Sequence, residues 1–344
     1  MENNKGMHEK YLPFKEEKVK EHLYGGKTES KIEESQKTQL EKIRGSISNF
    51  EKYQKKNDSL ECKTLTELRS PCQVQKDERF WTMNTLLHIF YSPNRTNKLI
   101  QLFKKGYRQD ILKSIGLNGW EECFGSEKLE LYFEVYLSSP AEYKDWLSKS
   151  YSDSRKEKLP NTHQIIPYVL ASACQKNTKK IADSNDEIII KNNIEGSTRV
   201  DAMIINPENG FGVIIEAKVS SDISVFTTYD LSRNQIARSI DVMLEANKDM
   251  YFPFKERDPG KTIFLLLTPE IFRNNPLTRL YDYKMRDYRD PEKGVDYLKE
   301  DLPHRTKENL KNIPSRIGWL TWEDIKKEVN SQCPPWDIDY DKYF

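Results

Sequence analysis

Residues 199–218 read RVDAMIINPENGFGVIIEAK, and this stretch decides the reading of the rest. Val200–Ile205 and Gly212–Ala217 are apolar runs of strand length, rich in β-branched residues. Asn206-Pro-Glu-Asn-Gly210 lies between them as a cluster of turn formers. The pattern predicts a β-hairpin. Side chains alternate along a strand. Asp201, Met203 and Ile205 therefore share one face of the first strand. Gly212, Ile214, Glu216 and Lys218 share one face of the second. A turn centred between Glu208 and Asn209 sets Asp201 opposite Glu216, with Cβ atoms about 5 Å apart. A bulge at Gly210 would shift that register by one. Two opposed carboxylates repel unless water, a cation or a metal relieves them. Met203, Val213, Ile214 and Ile215 surround the pair and argue against open water. Lys218 supplies one cation. A hard divalent ion takes one or two carboxylates with waters and phosphate oxygens, and would supply the rest. The alternative is a solvated strand end with a surface ion pair.

Downstream of the hairpin, helix and strand alternate. Thr228–Asn247 reads as a long helix with Ile236, Ile240, Met243 and Leu244 on its core side, capped by Asp230 or Thr228. Thr262–Thr268 (TIFLLLT) is an unbroken apolar run, the mark of a buried strand. Ile317–Leu320 reads as another strand, followed by the helix WEDIKKEV. Upstream, His163–Gln175 reads as a helix and Glu187–Ile190 as a short strand. The class expected is α/β, a mixed central sheet flanked by helices, with a helical N-terminal region.

That region divides in two. Residues 1–77 are rich in Lys and Glu, with Leu40, Ile43, Ile47 and Phe50 forming one helical stripe. They read as a charged helical arm, partly flexible. Residues 78–155 read as a small helical domain built from RFWTMNTLLHIFYSP, NKLIQLFKKGY, KLELYFEVYL and PAEYKDWLSK. His88 reads as a core residue. Glu130 and Glu134 would share a solvated helix face. The polar run YSDSRKEKL and Pro160 place a boundary near 155, leaving 156–344 as the α/β core.

Asp201 followed by Glu216-Ala217-Lys218 at a hairpin-compatible distance resembles the PD-(D/E)xK nuclease superfamily, which has the restriction-endonuclease-like fold. The E-x-K half is intact. Val200 stands where that family often has proline. Gln235 in DLSRNQIARSID matches the glutamine of a Q-x-x-x-Y pattern on the helix after the hairpin, with Ser239 in place of tyrosine. The resemblance covers about residues 160–330. It implies a Mg²⁺-dependent DNA endonuclease of restriction or phage-defence type, with Mn²⁺ able to substitute. Asp201, Glu216 and the Ala217 backbone carbonyl would hold the metal. Lys218 would hold or deprotonate the attacking water, with its pKa lowered by the metal. Gln235 would orient these groups. The family often takes a further acid from a preceding helix. The 163–175 helix offers none, and Glu195 is the nearest substitute.

Arg233 and Arg238 flank Gln235. Arg279, Lys284 and Arg286 lie among tyrosines in FRNNPLTRLYDYKMRDYRDPEKG. All five are candidate phosphate contacts. The competing readings are an Arg238–Asp241 surface pair and an exposed amphipathic helix with its tyrosines inward. A net charge of +1 decides nothing about nucleic acid, so a local basic groove is required. One such site cuts one strand, so double-strand cleavage calls for a homodimer or two successive cuts. A non-catalytic nucleic-acid-binding scaffold and an RNA-directed nuclease are the other functional readings.

Five cysteines without a C-x-x-C pair fit a reducing compartment better than a zinc site or a disulfide frame. The opening MENNKGMHEK lacks the apolar core of a signal peptide. The longest apolar runs, such as Ile263–Leu267, are far short of a span. A soluble cytoplasmic protein is expected.

Overall fold

Five strands form one mixed sheet in the order β1-β2-β3-β4-β5. They are β1 Glu130–Leu137, β2 Thr198–Asn206, β3 Phe211–Ala217, β4 Thr262–Thr268 and β5 Ile317–Thr321. The first three run antiparallel, and β4 and β5 continue parallel to β3. The computed structural model describes residues 12–26, 31–57, 77–108, 110–155, 195–224, 230 and 233–328. The helix and strand expected at 163–175 and 187–190 lie outside these residues. Among the described residues the helices of eight or more are α1 Ile32–Asn57, α2 Glu78–Phe90, α3 Arg95–Gly106, α4 Ala141–Arg155, α5 Gln235–Met243, α6 Leu280–Tyr288 and α7 Gly294–Asp301. None is long and apolar enough to cross a membrane.

Each face of the sheet carries its own apolar layer. One gathers Leu40, Ile43 and Ile47 of α1, Phe80, Trp81 and Met83 of α2, and Leu99 and Phe103 of α3 against Ala202, Val213, Ile263 and Leu265. The other gathers Ile236 and Ile240 of α5, Tyr281 and Met285 of α6 and Leu298 of α7 against Met203, Ile214, Phe264 and Leu266. Every residue of β3 and β4 is buried, as a strand covered on both faces requires.

Two elements depart from expectation. KLELYFEVYL is not a helix. Residues 130–137 of it form β1, paired along β2 with Tyr132 opposite Met203 and Val135 opposite Val200. Segment 78–155 therefore contributes an edge strand to the sheet, and α2 and α3 pack on the same layer as β2–β4. Glu130 and Glu134 lie on a strand, not on a helix face. The helix around Gln235 is also shorter than read. It starts at Gln235, and its cap is Asn234, whose side chain accepts from the Ala237 N–H. Cys123 is buried and free. His88 is half-buried; its Nδ1–H donates to the Asn84 carbonyl at 2.7 Å and its ring packs against Phe14, a packing role.

Candidate active site

The hairpin register is the one its turn chemistry predicts. Met203 pairs with Ile214 and Asn206 with Phe211. One step beyond the Ala202–Ile215 pair, the same register sets Asp201 against Glu216. Gly210 takes φ +79°, and its N–H closes the turn on the Asn206 carbonyl at 3.0 Å. The turn uses the left-handed geometry that glycine permits without adding a bulge.

Glu216 is the centre of the site. It is 1% exposed. Its Oε1 accepts from Lys218 Nζ at 2.8 Å and from Gln235 Nε2. Its Oε2 is buried and has no partner. Gln235 is itself fixed. Its Oε1 accepts from the Ser224 N–H at 3.2 Å, and its own N–H donates to the Ser224 carbonyl at 3.0 Å. Asn234 anchors the helix start by donating to the Tyr288 hydroxyl at 2.6 Å and to Asp301 at 3.0 Å. A polar pin at one residue thus aims the next one at Glu216. Asp201 Oδ2 accepts from the Ala217 N–H at 2.7 Å.

Two further acids join the group from outside the hairpin. Glu78, the first residue of α2, lies 3.5 Å from Lys218 Nζ. It also accepts from the Val219 N–H at 3.3 Å and from the Ser221 hydroxyl. It reaches the site from the layer opposite α5. Glu78 lies far from the hairpin in sequence, and only the fold brings it to Lys218. The signal that could have found it is an acid at a helix start, Asp77-Glu78, ahead of a strand. Glu134 of β1 stands beside Asp201 in register, between the pairs Phe133–Ala202 and Val135–Val200. It has φ +55°, is 9% exposed, and pairs with Arg199 at 3.0 Å. Glu195 does not join them. Its Oε1 accepts from Arg233 Nη1 at 2.9 Å and from the Ser139 hydroxyl at 3.3 Å, and its Oε2 is buried without a partner.

The charges are strongly perturbed. Burial and the neighbouring Glu216 raise the Asp201 pKa well above the carboxylate range, outweighing Lys218 and the Ala217 N–H. Burial likewise raises Glu134, against the pull of Arg199 and Arg79. For Lys218, burial pulls downward, but Glu216, Asp201 and Glu78 outweigh it and its pKa rises. In this charge environment Lys218 is a firm ammonium. The lowered value expected of it would require an added cation.

Only some of the candidate phosphate contacts face outward. Arg233 does not. It is fully buried, pairs with Glu195 at 2.9 Å and Asp241 at 2.5 Å, and lies 3.6 Å over the Tyr143 ring. Its place between two acids explains its burial and removes it from any phosphate. Arg238 does not form the expected pair with Asp241, whose oxygens go to Arg233, Arg305 and His304. Lys284 pairs with Asp301 at 2.5 Å, and Arg286 with Asp282 at 3.2 Å. Arg279 lies 4.1 Å over Phe272. Tyr281 and Tyr288 are buried, and Tyr283 is 44% exposed. The inward packing of two of the three tyrosines is that of an amphipathic helix.

Among the described residues no three His, Cys, Asp or Glu side chains are gathered as a group that could hold a metal ion. A hard cation such as Mg²⁺ needs fewer protein ligands, often one or two carboxylates. Asp201 and Glu216 meet that requirement, and the orphaned Glu216 Oε2 is a buried acceptor in want of a positive partner. The donor set fits the ion. Comparison with models of protein families, with curated proteins and with solved structures returns no match for this chain.

Proposed function

We propose that the chain is a metal-dependent endonuclease that hydrolyses phosphodiester bonds of DNA. The observation that carries this reading is the pairing of half-buried Asp201 with buried Glu216, with Lys218 and Gln235 both bonded to Glu216 and one Glu216 oxygen left over. The gathering of like charges at the end of a hairpin is costly for a purely structural strand. The mixed sheet, the hairpin and the glutamine-bearing helix after it support a restriction-endonuclease-like core. So does Glu78, an acid from a helix ahead of the sheet.

Asp201, Glu216 and the Ala217 carbonyl would hold Mg²⁺ or Mn²⁺. The ion would supply Lewis-acid stabilisation of the phosphoryl oxygen and a more acidic water. The residues themselves do the following. Lys218 presents a cation toward charge developing on the phosphate. Once positive charge beside it lowers its pKa, it can hold or take a proton from the water. Gln235 fixes the Glu216 carboxylate and with it the Lys218 ammonium. Glu78 braces Lys218 and the Val219–Ser221 loop. Phosphate contact falls to Arg238, Arg279 and Arg286. Double-strand cleavage would require a homodimer or two successive cuts.

The test is cleavage of supercoiled and linear DNA, and separately of RNA, by the purified protein with Mg²⁺ or Mn²⁺. Wild type is expected to nick DNA. Lys218→Ala should lose about 10²–10⁴-fold, the usual worth of a proton-transfer group. Gln235→Ala should lose about 10–100-fold, as for a residue that orients a ligand. Equal cleavage by wild type and Lys218→Ala would overturn the reading, and cleavage of RNA alone would reassign the substrate. Absence of cleavage with retained DNA binding would make the chain a scaffold.

A further inference from the structure

A second cleft, of about 520 Å³, opens between the short helix Ile111–Ser114 and the turn Pro314–Arg316. Its lining includes Arg108, Asp110, Lys113, Lys311, Asn312 and Ser315. It is not part of the Asp201 site. The turn feeds the start of β5, whereas Ala217 and Lys218 lie at the end of β3, which runs parallel in the same sheet. Five residues of strand, roughly 15 Å, separate the two ends.

The charge of this cleft is unbalanced. Three cations and one carboxylate, Asp110, line it, and a second carboxylate, Asp290 beside Pro291, lies within reach of the Arg108 charge. Among the described residues no carboxylate lies within ion-pair distance of Arg108 or Lys113, and Lys311 has only the exposed Glu308 at 3.9 Å. Arg289 is not in the lining; it lies two residues before the rim residue Pro291 and feels the charge of Arg108. It donates to the Gly106 carbonyl at 3.3 Å, and its Nε is buried with no partner. Burial first, then the positive charge of Arg108, lowers its pKa. A fold gains nothing from crowding guanidinium groups unless an anion lies among them. Guanidinium groups match phosphate oxygens in a planar fork. The volume suits a small charged ligand. No aromatic ring lines the cleft among the described residues, so the grip is on phosphoryl groups and not on a base.

We propose that this cleft binds the phosphoryl groups of an oligophosphate, as carried by a nucleoside di- or triphosphate or by a nucleic-acid backbone. The proposal does not rest on the nuclease reading, and the two fail separately. The full chain, in EDTA and low salt, is titrated calorimetrically with tripolyphosphate, with ATP and with a twelve-nucleotide single strand. Wild type should bind tripolyphosphate. The pair Arg108→Glu, Lys113→Glu and the single change Lys311→Glu should each weaken binding about tenfold or more, because counterion attraction becomes repulsion. Their melting temperatures should not change, because these side chains are exposed. Asp201→Asn should bind as wild type does. Binding of ATP but not of the oligonucleotide assigns a nucleotide. Oligonucleotide binding lost in step with tripolyphosphate binding assigns a backbone. No binding of tripolyphosphate at millimolar concentration, or equal binding by the variants, overturns the proposal.

Discussion

Asp201 carries the clearest residue-scale consequence. Its folded pKa lies well above the usual value, which is about 3.9 in an unfolded chain. Between these two values the folded chain holds a proton that the unfolded chain has released. Stability therefore falls as pH rises through that window. Asp201→Asn removes this loss and keeps an oxygen for the Ala217 N–H. In EDTA at pH 8 the variant should melt above wild type, and the gap should close toward pH 4. A variant that melts lower at both pH values would contradict the assignment. The same substitution should abolish cleavage, so stability and activity should move in opposite directions. Glu78→Gln tests the acid that sequence reading overlooked. It keeps an acceptor for Val219 and Ser221 but removes a charge from Lys218. Cleavage should fall about 10–100-fold with little change in melting, measured by initial rates and thermal scans on one preparation.

At the scale of elements, the helix start at Gln235 depends on Asn234. Asn234→Ala deletes the cap, worth about 1 kcal/mol, and leaves the Tyr288 and Asp301 groups short of a partner, a further cost of about 1–3 kcal/mol. Denaturant midpoints should fall accordingly, and cleavage should fall beyond what stability explains, because Gln235 is no longer aimed. Unchanged activity in the folded variant would show that the pin is structural only. The hairpin was legible in the sequence because its turn residues and its alternation agree on one register. Strand β1 was not. Leu129, Tyr132, Phe133 and Tyr136 recur at helical spacing, while Leu131, Phe133, Val135 and Leu137 alternate at strand spacing. Both periods fit the run. Its aromatic and β-branched content should have decided for a strand. The cap was misplaced because Thr228, Asp230 and Asn234 are all good cap residues. Only the contacts of Asn234 with Tyr288 and Asp301, distant in sequence, single it out.

Across the whole molecule, one buried charge cluster ties the far elements together. Asp241 of α5 pairs with Arg233 at 2.5 Å and with Arg305 at 2.7 Å, and bonds His304 at 3.0 Å. Arg305 in turn reaches Glu245 at 2.5 Å and Glu142 of α4 at 3.3 Å. Burial works against the Asp241 carboxylate, but the His304 bond and the two arginines outweigh it, and its pKa is lowered. Its contribution to stability is present above the unfolded value of about 3.9 and is lost as pH falls through the lower folded value. The acid limb of the stability curve should therefore steepen below about pH 4. Asp241→Ala should remove that steepening and cost about 3–5 kcal/mol, since two guanidinium groups lose their buried partner. A denaturant titration at pH 7 and pH 3.5 measures both effects. This network was invisible in the sequence, because its members are spread from Glu142 to Arg305 and none belongs to a spaced motif.

The outer rim of β1 is not left bare. Leu23 forms a parallel bridge with Phe133, the Phe133 N–H donates to the His22 carbonyl at 2.8 Å, and the Tyr24 N–H donates to the Phe133 carbonyl at 3.2 Å. His22, Leu23 and Tyr24 thus act as a short plug on a strand that would otherwise template another chain. A protein trimmed to residues 27–344 should expose that rim and self-associate as its concentration rises, which light scattering coupled to size exclusion would register. Tags and fusions at the front of the chain carry the corresponding risk. A bulky partner that pulls this plug loose would leave an open strand edge that invites self-association without touching Asp201 or Glu216.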